Sequence, residues 1–332
     1  MKNKVYIVGH SLSPQGDELI TVLATFPRII HAEMLTHRMF SRNASSSRAV
    51  PVQKMIEAVK NNTFCPFEFQ KAHKGMQGSE YFTDEDKEDC IKLWLESAEL
   101  ALQQAEKMKE KGITKQIINR ILEPYQYYTV LITGSREGWQ NFFELRCGNY
   151  DGFKSRKEAS KEFLEKGNIN TSTWSELDWL HLNKGQAEIH IMDLSEKIYD
   201  AVNESTPKQL QAGEWHIPMI SDSESLKLST NDQIKLSVGR AANTSYTVVG
   251  DGKELTLEHA IKIHDKCVEL VHSSVFEHCA RAMSDEEYKV FIKGKNIGTI
   301  APYLFDDTSK GWCNNIKGFM LYRYFIDNKI EI

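Results

Sequence analysis

The longest regular pattern in the sequence is an amphipathic run from about Asp84 to Lys111, which predicts a single helix that stops at Gly112. Short β-branched segments stand on either side of it, such as KVYIVGHS near the N-terminus and YYTVLITGS after Pro124. Long helices separated by short strands predict a mixed α and β chain. No internal repeat or low-complexity linker divides the sequence, so we expect one domain over residues 1–332.

The net charge and the cysteine pattern exclude several classes of protein. The chain has 41 lysines and arginines against 46 acids, a formal net charge of −5, so we expect no non-specific attraction to nucleic acid or membranes. Its six cysteines form no C-x-x-C pair, which is typical of reduced thiols in the cytosol. The N-terminus lacks the apolar core of a signal peptide, and no apolar run reaches the roughly 20 residues that span a bilayer. A cytoplasmic protein is expected.

Residues 31–51, HAEMLTHRMFSRNASSSRAVP, are rich in arginine and serine. A short helical pattern comes first, and the serine-rich part follows it. Guanidinium groups, hydroxyls and the N–H groups of a turn together suit a phosphate, whose oxygens accept several charge-assisted hydrogen bonds. A solvated serine-rich loop with surface arginines explains the same composition equally well. Composition alone leaves both interpretations open.

Three other segments carry polar side chains that could do chemistry. HSSVFEH, which begins at His272, matches no zinc motif, and a hydrogen-bonded turn at a helix end is the simpler interpretation. GRAANTSY is a poor match to a dinucleotide-binding fingerprint, and there is no nucleophile elbow or Walker lysine. NFFELR places Asn141 and Arg146 near the end of a predicted helix. We therefore predict neither a metal site nor a protein nucleophile.

The spacing in THRMFSRNASSSR resembles the signature of the flavin-dependent thymidylate synthases, the ThyX family, which is R-H-R-x-x-S-x-N-x-x-S-x-R. The positions in register are His37, Arg38, Ser41, Asn43, Ser46 and Arg48. NRILEP, TGS, NFFELR, QAEI, RAANTSY and HSSVFEH are similar to further segments of that family. In most members the FEH segment precedes the arginine signature, whereas here it follows. The chain is therefore identified as a circularly permuted, phage-like member, and its expected location is the host cytosol if a phage encodes it.

The resemblance implies an α+β fold with a central, mostly antiparallel sheet flanked by helices, in permuted segment order. GFMLYRYFI, near the C-terminus, would then be the strand that normally leads into the signature helix. The charged stretch at about 148–184 is longer than in ordinary members. We interpret it as an insertion that forms a lid or an additional oligomer contact.

The resemblance also implies roles for individual residues. Arg146 corresponds to the arginine that holds the uracil ring and stabilises charge on it, and it is the expected catalytic residue. The residues expected to bind substrate are Glu33, Ser46, Ser47, Arg48, Arg120 and Arg146. The residues expected to bind the cofactor are Thr36, His37, Arg38, Asn43, Asn141, His272 and Ser274.

Several positions depart from the family pattern. Thr36 replaces the first arginine of the signature, Ala44 a glutamate and Ala49 a tyrosine. Glu33 stands where a glutamine commonly contacts the nucleotide. Because an ionised carboxylate only accepts hydrogen bonds, Glu33 would favour an amino-bearing pyrimidine over uracil. Both dUMP and dCMP are therefore candidate substrates.

By this resemblance we expect an FAD-dependent thymidylate synthase that converts dUMP to dTMP, with methylenetetrahydrofolate and NADPH as co-substrates. Its partners would be a pyrimidine deoxynucleotide monophosphate and folate, with no membrane and no nucleic acid. The family forms homotetramers with shared active sites, and the same is expected here. A related alternative is a hydroxymethylase of the nucleotide, or C5 modification of dCMP. An alternative of another class is a catalytically inactive protein that binds nucleotide or nucleic acid.

Overall fold

The computed structural model describes residues 3–75, 78–167, 169–244, 255–291 and 309–332. The strands in these residues are β1 (Lys4–Leu12), β2 (Glu18–Pro27), β3 (Ser41–Ala44), β4 (Tyr127–Ser135), β5 (Lys208–Gln209), β6 (Trp215–His216), β7 (Ala280–Ala282), β8 (Trp312–Cys313), β9 (Ile316–Lys317) and β10 (Phe319–Leu321). The α-helices are α1 (His31–Leu35), α2 (Val52–Asn61), α3 (Asp84–Glu110), α4 (Lys115–Ile121), α5 (Arg136–Arg146), α6 (Arg156–Gly167), α7 (Glu176–Leu182), α8 (Ile189–Glu204), α9 (Asp222–Ser225), α10 (Thr230–Thr244), α11 (Leu257–Glu269), α12 (Asp285–Val290) and α13 (Tyr322–Asp327). Short 3-10 helices lie at Arg28–Ile30, Glu123–Tyr125 and Ser273–Glu277.

A five-stranded sheet organises the molecule, with the order β3-β4-β2-β1-β5. The neighbouring strands β3, β4, β2 and β1 are all antiparallel, and only β5 joins β1 in parallel. A three-stranded antiparallel sheet, β10-β7-β6, and the hairpin β8-β9 stand apart from it. The expected fold class, a mostly antiparallel sheet flanked by helices, is confirmed.

The two faces of the central sheet pack against different parts of the chain. Ile20, Val22 and Phe26 of β2 lie on one face, in a core shared with Trp139 of α5 and with the buried side of α8. Leu19 points to the opposite face and joins a second core built from α10, the 3-10 helix at Ser273–Glu277 and the small sheet. This alternation follows from the two-residue period of a strand. The sheet is thus buried on both faces, and helices from both halves of the chain cover it.

Hydroxyl and imidazole groups also lie on that second face, fully buried. Thr21 Oγ1 is hydrogen-bonded to Thr133 Oγ1 and to His216 Nε2, at 2.8 Å each. His216 Nδ1 pairs with Ser11 Oγ at 2.8 Å, and Thr133 Oγ1 pairs with His278 Nδ1 at 2.8 Å. Burial lowers the pKa of both His216 and His278 to about 3, so both rings are neutral at neutral pH. HSSVFEH therefore ends in a structural histidine.

A helical layer covers the end of the sheet at β3 and β4. Helix α3 packs through Leu102 and Ala105 on α2 and α4, which contribute Val59 and Ile118. It ends beside Gly112, whose φ of +76° favours glycine. The predicted long helix is confirmed. None of the helices in the described ranges combines the length and hydropathy that a bilayer crossing requires.

The stretch at 148–184 contains α6 and α7 and has a small core of its own, formed by Tyr150, Ala159 and Trp179. It is fastened to α8 by the guanidinium of Arg156. The ion pairs of Arg156 are with Glu176, Asp193 and Glu196. That this stretch is an insertion with a lid or oligomer role stays a prediction.

The prediction for the C-terminal segment GFMLYRYFI is wrong. Only Phe319–Leu321 is a strand there, and it pairs with β7. Helix α13 follows, because Tyr322 and Phe325 turn into the second core. The strand that leads into the signature helix is instead β2, which directly precedes the turn at Arg28–Ile30.

Candidate functional site

Arg146 is the last residue of α5, and its guanidinium meets the turn that follows α1. Its Nε donates to His37 Nε2 at 3.0 Å, its Nη1 to Glu33 Oε2 at 3.1 Å and its Nη2 to Thr36 Oγ1 at 3.4 Å. These four residues are called the Arg146 cluster below. The structure therefore brings together the predicted catalytic arginine, one predicted substrate contact and two predicted cofactor contacts. Only His37 among them is deeply buried, with 6% of its surface exposed.

His37 is held by aromatic packing as well as by Arg146. Its ring lies 4.9 Å from the ring of Phe142, edge to face, and 6.2 Å from that of Phe40. Burial, together with the nearby cations Arg146 and Arg42, lowers the pKa of His37 to about 4. A neutral imidazole follows, and it is the state that accepts a hydrogen bond at Nε2.

Glu33 lies between a cation and a second acid. Partial burial and then the carboxylate of Glu188 raise the pKa of Glu33, and Arg146 opposes the shift. Glu188 is the N-cap of α8, where its side chain accepts from the backbone N–H of His190 at 2.8 Å and of Ile191 at 3.1 Å. Its other oxygen is bonded to His190 Nδ1. The acid of the QAEI segment thus contributes charge to the Arg146 cluster.

The strand β3 joins the signature to two distant segments. Asn43 Nδ2 donates to the carbonyl of Ala241 in α10, at 3.2 Å. Asn315 Nδ2 donates to the carbonyl of Met39 at 3.0 Å and to Ser41 Oγ at 3.1 Å. The 3-10 helix at Ser273–Glu277 also packs on β3. RAANT and HSSVFEH therefore meet the signature in space although they lie far from it in sequence. Residues 245 and 246 of RAANTSY lie outside the described residues.

The serine-rich turn after β3 is anchored from α4. Asn119 Nδ2 donates to the carbonyls of Ser47 at 2.7 Å and Val50 at 2.9 Å. Ser47 is buried and Ser46 is half-buried, while Arg48 and the neighbouring Arg120 are exposed. Backbone anchoring of this kind fixes the turn without using the arginines. The two guanidinium groups remain at the surface of one corner of the fold.

The structure leaves several predicted cofactor contacts apart from the Arg146 cluster. Arg38, Asn141 and His272 are exposed, and Ser274 is half-buried. In the part of the chain that is described, no hydrogen bond joins any of these four residues to the Arg146 cluster. His272 lines a separate cavity of about 400 Å³ together with His259 and Lys266. The predicted cofactor residues thus do not form one pocket within the described chain.

Several polar residues of this region were missed by reasoning from the sequence. The His31 ring is hydrogen-bonded to the Tyr128 hydroxyl, and burial with nearby arginines lowers the pKa of His31 to about 4. Arg42 donates to the carbonyl of Met34 at 3.0 Å, and Arg28 lies 5.2 Å from the centre of the Tyr128 ring. The sequence shows that these residues are concentrated in one segment, but it does not show their partner in β4, Tyr128. No cluster of three or more metal-ligating side chains occurs among the described residues.

Comparison with known proteins gives one family match. Residues 6–164 match the family model described as thymidylate synthase complementing protein. The matched residues include the Arg146 cluster and exclude RAANTSY and HSSVFEH. A search of curated protein sequences finds no match.

Similarity to solved structures is remote. One is a UMP/dUMP methylase, PolB from Streptomyces cacaoi, bound with 5-Br dUMP, at 14% identity and a TM-score of 0.39. It covers 56% of this chain, and the chain spans 66%, just under two thirds, of its length. The same enzyme bound with 5-Br UMP gives 14% identity and a TM-score of 0.43, with 61% of this chain and 89% of that chain covered.

Proposed function

We propose, because residues 6–164 match the family model of the thymidylate synthase complementing proteins, that the chain is an FAD-dependent thymidylate synthase that methylates dUMP at C5. Methylenetetrahydrofolate and NADPH would be its co-substrates, and the cytoplasm its location. A nucleotide methyltransferase is the coarser function that the family supports. The dUMP specificity, the flavin, the folate and a homotetramer with shared sites are the proposed part.

The observation that carries the proposal is the set of partners around Arg146. Its neighbours are a neutral imidazole, a threonine hydroxyl and one carboxylate with a raised pKa. Glu33 is the only one of the three that can carry a balancing negative charge, and the pair is partly exposed, so the cation can also act on a bound ring. A cation beside the pyrimidine would stabilise negative charge on N3 and its carbonyls, and so raise the nucleophilicity of C5. This electrostatic role needs no protein nucleophile.

The surface corner at Ser46, Arg48 and Arg120 fits the phosphate end of the nucleotide. The turn is fixed by Asn119 through backbone carbonyls, so its hydroxyl and guanidinium donors are available to a ligand. Arginine forks and serine hydroxyls match a phosphate group geometrically. In a shared active site this corner would serve the Arg146 cluster of another subunit.

The residues assigned to the flavin can be tested for fit by their chemistry. Arg38 and His272 are exposed, and the cavity beside His272 adds Lys266, His259 and Asn243 to its lining. Cationic and amide donors of this kind suit the diphosphate of a dinucleotide. The donors at His272 therefore fit that group, and Asn43 would support the strand. Arg38, Asn141 and Ser274 do not line this cavity, and they would hold the cofactor only in a site shared between subunits. When bound, reduced flavin would supply the hydride that completes the methyl group.

Glu33 favours dCMP as a second candidate substrate. Its carboxylate lies at Arg146, and an ionised carboxylate would accept from the amino group of cytosine. Its raised pKa also permits a neutral acid, which would instead donate to the carbonyl of uracil. The choice between the bases therefore depends on the protonation of Glu33. The candidate fails if dCMP neither binds nor competes with dUMP.

The first experiment is a flavin titration of the purified protein followed by turnover. We expect FAD to be retained, its visible spectrum to change on addition of dUMP, and dTMP to form when the co-substrates are supplied. Product mass separates methyl from hydroxymethyl, which is one oxygen heavier. Arg146→Lys should weaken the spectral change that dUMP causes and should lower kcat/KM for dUMP about 10²–10³-fold. Arg136→Lys, at the other end of α5 and paired with Glu18, is the matched control.

Each outcome selects one of the alternatives. Flavin retention without turnover on either nucleotide points to an inactive relative that still binds its ligands. No flavin retention, with oligonucleotide binding that weakens steeply with salt, contradicts the enzyme and supports a nucleic-acid-binding protein.

A further inference from the structure

A cavity lies outside the Arg146 cluster, between the start of α8, the loop at residues 63–67, the end of β2 and the start of β4. Its volume is about 220 Å³. Its aromatic walls are Phe64, Phe67 and Tyr127, and Cys65 and His190 also line it. No member of the Arg146 cluster lines this cavity. An apolar cavity of roughly 150 Å³ is large enough for benzene, so this one can hold a substituted or bicyclic ring.

His190 is the polar group that this cavity leaves unpaired. Its side chain is almost fully buried, with 5% of the residue exposed, and it meets the rings of Phe64 and Phe67 edge to face at 5.3 Å and 4.8 Å. Nδ1 is hydrogen-bonded to the carboxylate of Glu188. Nε2 is buried and has no hydrogen-bond partner in the described part of the chain. In the tautomer that carries its proton on Nδ1, the ring donates to the carboxylate and has an acceptor at Nε2.

The charges around the cavity restrict its ligand. The charged groups that line it are the carboxylates of Glu176 and Asp193, and no described lysine or arginine does so. Arg156 binds both carboxylates from outside the lining. An anionic ligand would find no cation here, and a phosphate is therefore excluded on electrostatic grounds. A neutral or cationic ligand meets no such penalty.

We propose that this cavity binds a planar heteroaromatic amine without an anionic group, which donates an N–H to His190 Nε2 and packs its ring against Phe64 and Phe67. Buried acceptors are normally satisfied, and such a ligand satisfies this one. The ligand class differs from a nucleotide monophosphate, so the inference stands whether or not the proposed function is correct. Glu188 connects the two sites, because it bonds His190 and also raises the pKa of Glu33.

The test uses Cys65 as a reporter of occupancy. Cys65 lines the cavity, and burial raises the pKa of its thiol, so we expect slow alkylation that a ligand in the cavity slows further. Cys90 on α3 is also half-buried and lies outside the cavity, which makes it an internal reference. With 2-aminobenzimidazole or adenine present, mass spectrometry should show alkylation slowed several-fold at Cys65 and unchanged at Cys90. The anionic ring 2-naphthoate should slow neither.

Variants test the contact itself. His190→Phe keeps an aromatic ring and removes the acceptor, and it should weaken 2-aminobenzimidazole binding about tenfold. If that variant does not fold, Cys65→Trp should fill the cavity and abolish binding measured by calorimetry, while Cys90→Trp should not. The proposal is overturned by absent or equal slowing at the two cysteines, by unchanged affinity in His190→Phe, or by displacement of the ring by dUMP.

Discussion

Arg146 and Arg156, which end α5 and begin α6, show two ways of placing a guanidinium among acids. Arg156 is bound by Glu196 through Nε, by Asp193 through Nη2 and by Glu176 through Nη1. Arg146 has one carboxylate, one neutral imidazole and one hydroxyl at 3.4 Å. The first arrangement pairs every nitrogen of the fork with a carboxylate. The second pairs the cation with a single, partly exposed carboxylate, which leaves its charge more able to act on a ligand.

The largest expected effect is on stability at Arg156. Arg156→Met leaves three carboxylates around a site where Glu196 is 2% exposed, so repulsion and desolvation should lower the free energy of unfolding by about 3–5 kcal/mol. Urea denaturation measures the loss. Arg136→Met, which removes an exposed pair with Glu18, should cost at most about 1 kcal/mol. Equal losses in the two variants would show that the Arg156 cluster is not a structural fastener.

Arg146 should give the opposite result. Arg146→Lys loses the fork that reaches three partners, and we expect kcat/KM to fall about 10²–10³-fold. The free energy of unfolding should change by no more than about 1 kcal/mol, because the pairs of Arg146 are partly exposed. Steady-state kinetics and urea denaturation on the same preparation test both halves. A large loss of stability with unchanged kinetics would reverse the comparison.

The two clusters should also respond to acid in different pH windows. The pKa of His37 is lowered to about 4 from 6.5, so its contribution is complete above pH 6.5 and is lost as the pH falls towards 4. Compared with His37→Gln, the wild type should lose about 3 kcal/mol more across that window. Other histidines titrate in both proteins and cancel in the difference.

Asp193 supplies the contrast. Burial raises its pKa, but Lys197 and Arg156 outweigh burial and lower it below 3.8. Its contribution is present above pH 3.8 and is lost below, so Asp193→Asn should differ from wild type in pH dependence only below about pH 4. Urea denaturation across the pH range measures both. A shared window would contradict the assignment of neutral His37 to the Arg146 cluster.

The smallest expected effect is on base preference at Glu33. Glu33→Gln replaces an acceptor-only group with one that also donates, and it should shift relative affinity from dCMP towards dUMP by about tenfold, or about 1.4 kcal/mol. Competition binding of the two nucleotides measures the ratio. A ratio that is independent of both pH and this substitution would remove Glu33 from base recognition.

Sequence reasoning predicted the elements with strong local patterns. The amphipathic run of α3, the strand β1 and the helix α5 depend on periods that neighbouring residues carry themselves. The strand β2 was not predicted, because DELITVLATFP is buried on both faces and has little alternation. The C-terminal strand was overextended, since apolar residues in Tyr322–Asp327 suit a helix packed on a core equally well.

The site was predictable only where the signature supplied it. The resemblance to the family predicted His37 through the spacing of the signature, Arg146 through NFFELR and Glu33 through a departure from the family pattern. The structure places His37 and Glu33 in contact with Arg146. Glu188 and His190 lie at the start of α8. No local sequence pattern indicates that they come close to β2 or to the loop at residues 63–67. Long-range contacts of this kind follow from topology. Asn141 and Arg120 are exposed, and their predicted roles await a ligand or a neighbouring subunit.

The short strand β3 has a consequence for how the chain folds. It is an edge strand, and its segment is held by hydrogen bonds from Asn43 to a residue 198 positions away and from Asn315 to a residue 276 positions away. Contacts of such high sequence separation form slowly, because a long loop must close first. The signature turn should therefore become ordered late in folding, after the helices. A chain cut at residue 164 would lack these contacts and expose the edge of β3 to pairing with other chains.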